Sequence, residues 1–215
     1  MTTLFVSDLH LSILRPEKVA LFMRLMTGPA IKADAFYILG DLFDDFWIGC
    51  DDEYYPNQEI ISILREYSAN SSTKLFIMRG NRDFHLNQEF ANATSCTLIE
   101  DPTEIILDDQ KVLLLHGDTL CTDDVKYQKW RRFITNPFVK WLYSVMSLKL
   151  RTHISRKVRG YSVEAVQKKA PEIIDVTKNS VLDTLKKFNV NTLIHGHTHR
   201  QARHEIKLND TLAIR

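Results

Sequence analysis

The chain reads Thr192-Leu193-Ile194-His195-Gly196-His197-Thr198-His199 near its end, a short apolar run that passes directly into three imidazoles. The apolar residues predict a buried β-strand over Thr192–Ile194. Three histidines within five residues at a strand end have few structural explanations, whereas imidazole nitrogens are common ligands of transition metals. This stretch therefore predicts a metal site at the end of a strand.

Four other apolar runs also end in polar side chains. They are Thr3–Ser7 before Asp8-Leu9-His10, Ala35–Leu39 before Gly40-Asp41, Lys74–Met78 before Gly80-Asn81, and Val112–Leu115 before His116-Gly117-Asp118. In sheets covered by helices, ligands bind at the carboxyl ends of the strands. Five loops are therefore expected to converge on one point.

The remaining periodicity predicts an α/β fold. Helical spacing predicts helices over Pro16–Met26, Asn57–Tyr67 and Pro171–Phe188, while Glu104–Leu107 pairs with Val112–Leu115 as a hairpin and Gln201–Leu208 alternates as a strand. Strands that alternate with helices indicate βαβ units, and the later hairpins add mixed pairing. At 215 residues and 44% hydrophobic composition, the chain is long enough for one domain with a substantial core.

The ligand types point to a pair of transition-metal ions. In Asp8-x-His10 an extended backbone would place both side chains on one side of the chain. The carboxylate of Asp41 has two oxygens with which to bridge two cations, and Asn81 offers a neutral amide oxygen. Taken singly, these residues have simpler explanations as caps or turn residues, and His116 as a hydrogen-bonded histidine. Together they combine oxygen ligands with imidazoles and without thiolate, which suits Mn, Fe, Zn or Co.

Composition suggests a reducing compartment. The cysteines Cys50, Cys96 and Cys121 are widely spaced and form no Cys-x-x-Cys pair. The first apolar run is too short for a secretory signal, and no run approaches the ~18 apolar residues of a membrane span. A cytoplasmic protein, soluble or peripheral on a membrane, is expected.

Charge is strongly segregated along the chain although the net charge is only +1. Residues 126–169 carry twelve Lys or Arg and one acidic residue, a net charge of +11, which leaves −10 on the remainder. The segment also interleaves aromatic and aliphatic residues from Trp130 to Val158. Two interpretations remain open: an interfacial surface on an anionic membrane, or a helical cap that packs on the core with its charges in solvent.

The order Asp-x-His, Gly-Asp, Gly-Asn, His and Gly-His-x-His resembles the calcineurin-like metallophosphoesterase superfamily. The resemblance implies an αββα sandwich of mixed sheets, a single domain over residues 1–215 and an inserted helical lid over 123–170. Related chains continue beyond Thr211–Arg215, so further C-terminal strands could lie after residue 215. Longer motifs resemble one family within it, the diphosphatases that act on UDP-2,3-diacylglucosamine in bacterial lipid A synthesis. These motifs are Asp8–Leu11, Ile38–Phe43, Gly80–Phe84, His116–Asp124 and His195–Arg200.

Carried over by motif, the resemblance implies two Mn²⁺ ions, with other divalent metals as alternatives. The first metal is assigned to Asp8, His10, Asp41 and His199, and the second to Asp41, Asn81, His116 and His197. Water activated by the metal pair would be the nucleophile. The implied catalytic residues are Asn81, Arg82 and His197, and the implied substrate contacts are Asn81, Arg82, Asp124, Tyr127, Ser162, Lys169 and His197. His195 is not a ligand in that pattern and is expected to be structural.

Arg82 distinguishes this chain from many members of the superfamily, which carry a histidine after Gly-Asn. Hydrolysis of a pyrophosphate releases a phosphate monoester whose second pKa is ~6, so the leaving group needs no proton at neutral pH. A guanidinium can instead offset the developing charge. Arg82 therefore favours a phosphoanhydride substrate, although an exposed turn arginine is the simpler alternative.

The resemblance implies hydrolysis of UDP-2,3-diacylglucosamine to UMP and 2,3-diacylglucosamine 1-phosphate, by an enzyme peripheral on the inner membrane, with no nucleic acid and no obligate protein partner. One alternative is a metal-dependent nuclease or nucleotide phosphodiesterase whose basic insert binds a nucleic-acid backbone. The aliphatic content of the insert exceeds what base stacking requires. A second alternative is a non-catalytic scaffold, against which the intact ligand set argues.

Overall fold

The computed structural model describes residues 1–12, 14–44, 55–167, 169, 173–208 and 211–215. Two β-sheets form its centre. The first is parallel, in the order β1-β2-β3-β4: β1 (Thr3–Val6), β2 (Ala35–Leu39), β3 (Lys74–Met78) and β4 (Thr97–Ile99). The second mixes parallel and antiparallel pairs in the order β5-β6-β7-β9-β8: β5 (Thr103–Leu107), β6 (Gln110–Leu115), β7 (Thr192–His195), β8 (Glu205–Leu208) and β9 (Thr211–Ile214).

The described residues form seven α-helices. They are α1 (Pro16–Thr27), α2 (Tyr55–Asn70), α3 (Gln88–Thr94), α4 (Val125–Ile134), α5 (Pro137–Val145), α6 (Leu148–Gln167) and α7 (Lys178–Phe188). The first three pack on the first sheet and α7 packs on the second. The predicted αββα arrangement is confirmed, and α4 to α6 follow one another between β6 and α7.

The alternation of side chains along β2 shows why the sandwich forms. Phe36 and Ile38 enter the core beneath the helices, whereas Ala35, Tyr37 and Leu39 enter the core between the two sheets. All five are buried, so this strand is apolar on both faces. A continuous apolar run, rather than an alternating one, is the expected pattern for such a central strand.

Two predicted starts are wrong by four residues or more, and the helix predicted over Asn57–Tyr67 extends from Tyr55 to Asn70. The helix predicted from Pro171 begins at Lys178, after residues 173–177 form a turn and an irregular segment; Pro171 itself lies outside the described residues. The side chain of Thr177 accepts a hydrogen bond from the amide of Ser180 and caps the true start. The last predicted strand begins at Glu205 rather than Gln201.

Three short elements, α3, β4 and β9, were not predicted, because runs of three to seven residues carry too little periodicity. The strands that precede the five polar loops are all confirmed to within two residues. Within the described ranges, every helix is too short or too polar to span a lipid bilayer.

Candidate dinuclear metal centre

The loops after β1 and β7 bring together a first group of three donors. Asp8, His10 and His199 each offer an atom within 4.8 Å of the others. The Nε2 atoms of His10 and His199 lie 3.2 Å apart, and Nε2 of His199 lies 3.6 Å from Oδ1 of Asp8. These distances leave the three donor atoms facing a common point.

The loops after β3 and β6, together with the histidine cluster, form a second group. Oδ1 of Asn81 lies 3.0 Å from Nε2 of His116 and 2.9 Å from Nδ1 of His197. Asp41 lies between the two groups, since its Oδ1 is 3.7 Å from Nε2 of His116 and its Oδ2 is 3.7 Å from Nε2 of His10. All seven ligands expected from the sequence therefore converge, with one carboxylate shared between the groups.

The donor atoms are suited to a metal. Oδ1 of Asp8 is buried and has no hydrogen-bond partner among the described residues. Burial lowers the pKa of both His10 and His197 to about 4, so these imidazoles are neutral at neutral pH and keep a free lone pair. Buried donors that lack a protein partner fit a bound cation.

His116 is oriented for ligation. Its Nδ1 donates a hydrogen bond to the carbonyl oxygen of Leu39 at 2.9 Å, which leaves Nε2 to face the centre. Burial alone would lower the pKa of His116, but the carboxylates of Asp41, Asp118 and Asp8 raise it to about 9. The surrounding field is therefore strongly negative, which a divalent cation would offset.

The backbone at the donors differs from the extended form predicted for Asp8-x-His10. Asp8 and His10 have φ values of 54° and 47°, and Asp41, His197 and His199 have φ values of 53°, 71° and 53°. Left-handed backbone is uncommon for residues other than glycine and often marks functional sites. The two side chains after β1 do converge, but by sharp local turns and not by strand alternation.

Two glycines allow the loops after β2 and β3 to touch. Gly40 has a φ of +88°, and a Cβ on Gly80 would lie 2.3 Å from both the amide nitrogen and Oδ1 of Asp41. No side chain larger than hydrogen fits at Gly80 without displacing Asp41. The Gly-Asp and Gly-Asn pairs in the sequence reflect this close approach.

Asp83 holds the same two loops together and was missed as a functional residue. Its buried carboxylate accepts hydrogen bonds from the backbone amides of Gly80 at 2.5 Å, Leu42 at 2.8 Å and Asp41 at 3.2 Å. The only sequence signal was its place two residues after Asn81. It fixes Asp41 relative to Asn81 without facing the centre.

Arg82 lies at the edge of the first group. Its backbone amide donates to Oδ1 of Asp41 at 2.8 Å. The pKa of His10 is lowered first by burial, then by His199 and then by the positive charge of Arg82. The guanidinium of Arg82 therefore acts on the centre.

Three of the four further residues expected to contact substrate form one cluster. Asp124 caps α4 by accepting from the amide of Tyr127 at 3.1 Å, and its other oxygen pairs with the ammonium of Lys169. The ring of Tyr127 lies over that of His197, with centroids 6.0 Å apart. Ser162 is half-buried on α6.

His195 is not available as a ligand. Its Nδ1 donates to the carbonyl oxygen of Gly196 at 2.8 Å, and its Nε2 accepts from Nε of Arg215 at 2.9 Å. Both ring nitrogens have protein partners, as expected of a structural residue.

Comparison with known proteins places this centre in a family. The model of the calcineurin-like phosphoesterase family matches residues 1–201. A protein of Pectobacterium carotovorum subsp. carotovorum named UDP-2,3-diacylglucosamine hydrolase is 44% identical over 217 residues, covering 100% of this chain and 89% of the relative. Proteins of the same name are 44% identical in Azotobacter vinelandii, covering 100% and 88%, and 43% identical in Pseudomonas syringae pv. tomato, covering 99% and 85%.

Gly80→Ala tests the close approach of the loops. The added methyl group would displace Asp41, so we expect unfolding free energy to fall by about 1–3 kcal/mol, the usual range for overpacking, and Mn²⁺ binding to weaken. Urea denaturation and calorimetric titration measure the two effects.

The control is Gly160→Ala in α6, where none of the described residues has an atom within 4 Å of the new Cβ. Gly160→Ala should be neutral or stabilising by up to about 1 kcal/mol, and equal behaviour of the two variants would refute the packing argument.

Proposed function

Because the chain belongs to the calcineurin-like phosphoesterase family, we propose that it hydrolyses the pyrophosphate bond of UDP-2,3-diacylglucosamine to UMP and 2,3-diacylglucosamine 1-phosphate. The relatives that carry this substrate in their name match nearly the whole chain at 43–44% identity. The observation that supports the chemistry is the convergence of seven donors around the shared carboxylate of Asp41. In the cell the reaction belongs to lipid A biosynthesis.

The centre takes two metal ions, and Mn²⁺ is the proposed metal. The first would be held by Asp8, His10, Asp41 and His199, and the second by Asp41, Asn81, His116 and His197. A mixture of carboxylate, amide and imidazole donors without thiolate supports Mn²⁺ over a structural zinc site. When bound, the ions supply an acidified water and offset charge on the phosphoryl oxygens.

The protein side chains orient the phosphates and share the developing charge. The guanidinium of Arg82 is proposed to contact the leaving phosphate, which needs no proton at neutral pH because its second pKa is ~6. His10 and His197 are uncharged at neutral pH, since burial lowers the pKa of each to about 4, and they are proposed to act as ligands rather than as general acids. Asn81 and His197 are proposed to contact the phosphate as well as the metal.

The sugar nucleotide is proposed to contact Asp124, Tyr127, Ser162 and Lys169. The hydroxyl of Tyr127 already donates to Oδ2 of Asp118, so it can meet a ligand only as a hydrogen-bond acceptor. Lys169 contributes positive charge toward the diphosphate, partly offset by its pairing with Asp124.

The lid comprises residues 123–170 and presents an apolar outer surface. We define its lid face as Trp130, Phe133, Phe138, Trp141, Leu142 and Val145, all exposed. Neither α4 nor α5 has a buried residue. Apolar surface beside twelve basic residues supports the proposal that the lid shelters the acyl chains and attaches the enzyme to the anionic inner membrane.

The other two interpretations have less support. A nuclease would also use the basic insert, but the reported relatives are named for the acylated sugar nucleotide. A non-catalytic scaffold would have no need to keep seven donors facing one centre.

Release of UMP tests the proposed function directly. With Mn²⁺ the full chain should release UMP from UDP-2,3-diacylglucosamine, and EDTA should abolish the release. His116→Ala should lower the rate by at least about 100-fold, since it removes a ligand and not merely an outer-shell partner, while circular dichroism remains that of a folded protein. Turnover that survives both EDTA and His116→Ala would exclude a metal-dependent mechanism.

Arg82→Ala tests the role of the guanidinium. Loss of charge stabilisation in the transition state should lower kcat by about 10²–10³-fold and change KM much less. The matched control is Arg24→Ala on the exposed side of α1, which should leave both constants unchanged. A rise in KM at constant kcat would assign Arg82 to substrate binding alone.

The double variant Phe138→Ala/Trp141→Ala tests membrane attachment. These side chains are 66% and 56% exposed, and their loss should weaken binding to phosphatidylglycerol-containing vesicles by about tenfold from the lost apolar area. Leu21→Ala/Met23→Ala, which alters exposed residues of α1, serves as the control and should bind normally. Vesicle sedimentation measures both. Equal binding of the two double variants would exclude the lid face as the attachment surface.

A further inference from the structure

Two buried carboxylates lie beside the proposed second metal site without belonging to it. Asp101 precedes β5 and Asp118 follows β6. The antiparallel ladder of β5 and β6 ends at the pair Thr103 and Leu114, and Asp101 lies two residues before this pair in the chain. Oδ1 of Asp101 accepts a hydrogen bond from the backbone amide of His116 at 3.2 Å. The backbone of this expected ligand is therefore held by a carboxylate of the segment that precedes β5.

Arg131 of α4 bridges the two carboxylates. Its Nε donates to Oδ2 of Asp118 at 2.7 Å, and its Nη2 donates to Oδ2 of Asp101 at 3.2 Å. The planar guanidinium provides two separate donors in a fixed geometry, which a lysine ammonium cannot reproduce. One cation therefore offsets two buried negative charges that would otherwise repel each other.

Both bridges of Arg131 lead to donors of the second group. Asp101 holds the backbone of His116, whose ring lies 3.0 Å from Oδ1 of Asn81. Asp118 accepts the hydroxyl of Tyr127, whose ring lies over His197. Among the described residues, Arg131 donates to no side chain of the first group, which is Asp8, His10 and His199.

We propose that Arg131 is a positioning residue for the second metal ion: by bridging Asp101 and Asp118 it orients His116 and His197. The inference rests on the proposed function, because it presupposes that the centre binds a pair of metals. Among the described residues, the guanidinium of Arg131 donates to Asp101 and Asp118 and to none of the expected metal ligands.

The effect should appear in the site rather than in the fold of α4. Gln128 anchors the same helix independently, with Nε2 donating to the carbonyl oxygens of Asp118 at 2.7 Å and Cys121 at 3.1 Å. Asp124 also caps the helix start. Removal of Arg131 would leave these attachments in place while two carboxylates lose their shared counter-ion.

The experiment is calorimetric titration of the metal-free full chain with MnCl₂. The wild type should bind two ions. Arg131→Met should keep one site at wild-type affinity and weaken the other by about 10- to 100-fold, as expected when a partner that orients a ligand is lost. Arg131→Lys should lie between them, because an ammonium can pair with only one carboxylate at a time. Arg132→Met and Arg132→Lys, at the exposed neighbouring position, are matched controls and should bind like the wild type.

The inference would be overturned if the wild type binds two ions and the Arg131 variants bind both with wild-type affinity. A lower melting temperature of these variants would not rescue it, because a residue that only stabilises the fold would change the melting temperature and not the metal affinity. Equal weakening of both sites would also overturn it. A wild type that binds no metal pair would overturn the proposed function as well. If Arg131→Met does not fold, Arg131→Lys decides, since it retains the charge and the aliphatic stem.

Discussion

The centre of this structure holds carboxylates and imidazoles closer together than these groups would lie if they were free in water. Asp8 and Asp41 both contribute carboxylate oxygens to one cluster with His116, and Nε2 of His10 lies 3.2 Å from Nε2 of His199. Without a cation, such an arrangement costs free energy through repulsion and desolvation. Each donor follows directly after a strand that is hydrogen-bonded into a sheet. The packing of the sheets offsets the cost and holds the donors together.

The architecture of the sandwich and the convergence of the loops could be predicted from the sequence because both follow from strand positions. Apolar runs such as Ala35–Leu39 identify buried strands, and parallel strands place their carboxyl ends at one edge. Element starts were harder to predict, as at Lys178, where a capping Thr177 rather than hydrophobic periodicity determines where the helix begins. Short elements such as Gln88–Thr94 carry too few periodic residues to be recognised.

The missed parts of the site share a physical cause. Asp83 and Arg131 act through backbone amides or other carboxylates, so nothing in their local sequence distinguishes them from capping or surface residues. The left-handed backbone of Asp8 and His10 likewise depends on the close approach of other loops, which no local propensity encodes. Sequence patterns thus predict which donor atoms converge, whereas the atoms that hold them in place become visible only in three dimensions.

The inserted helices are connected to both halves of the centre. Through Arg131, α4 reaches the loop that carries His116. Through Arg159, α6 reaches Asp44, with Nη2 donating to Oδ2 of Asp44 at 2.7 Å, while Oδ1 of Asp44 lies 4.0 Å from Nδ1 of His10. If the proposed lid only covered the centre, neither connection would be needed. One of these helices contacts the surroundings of each donor group. The segment proposed to recognise the lipid is therefore joined by ion pairs to the loops proposed to cleave the diphosphate. Displacement of either helix would disturb the donors as well as expose the substrate.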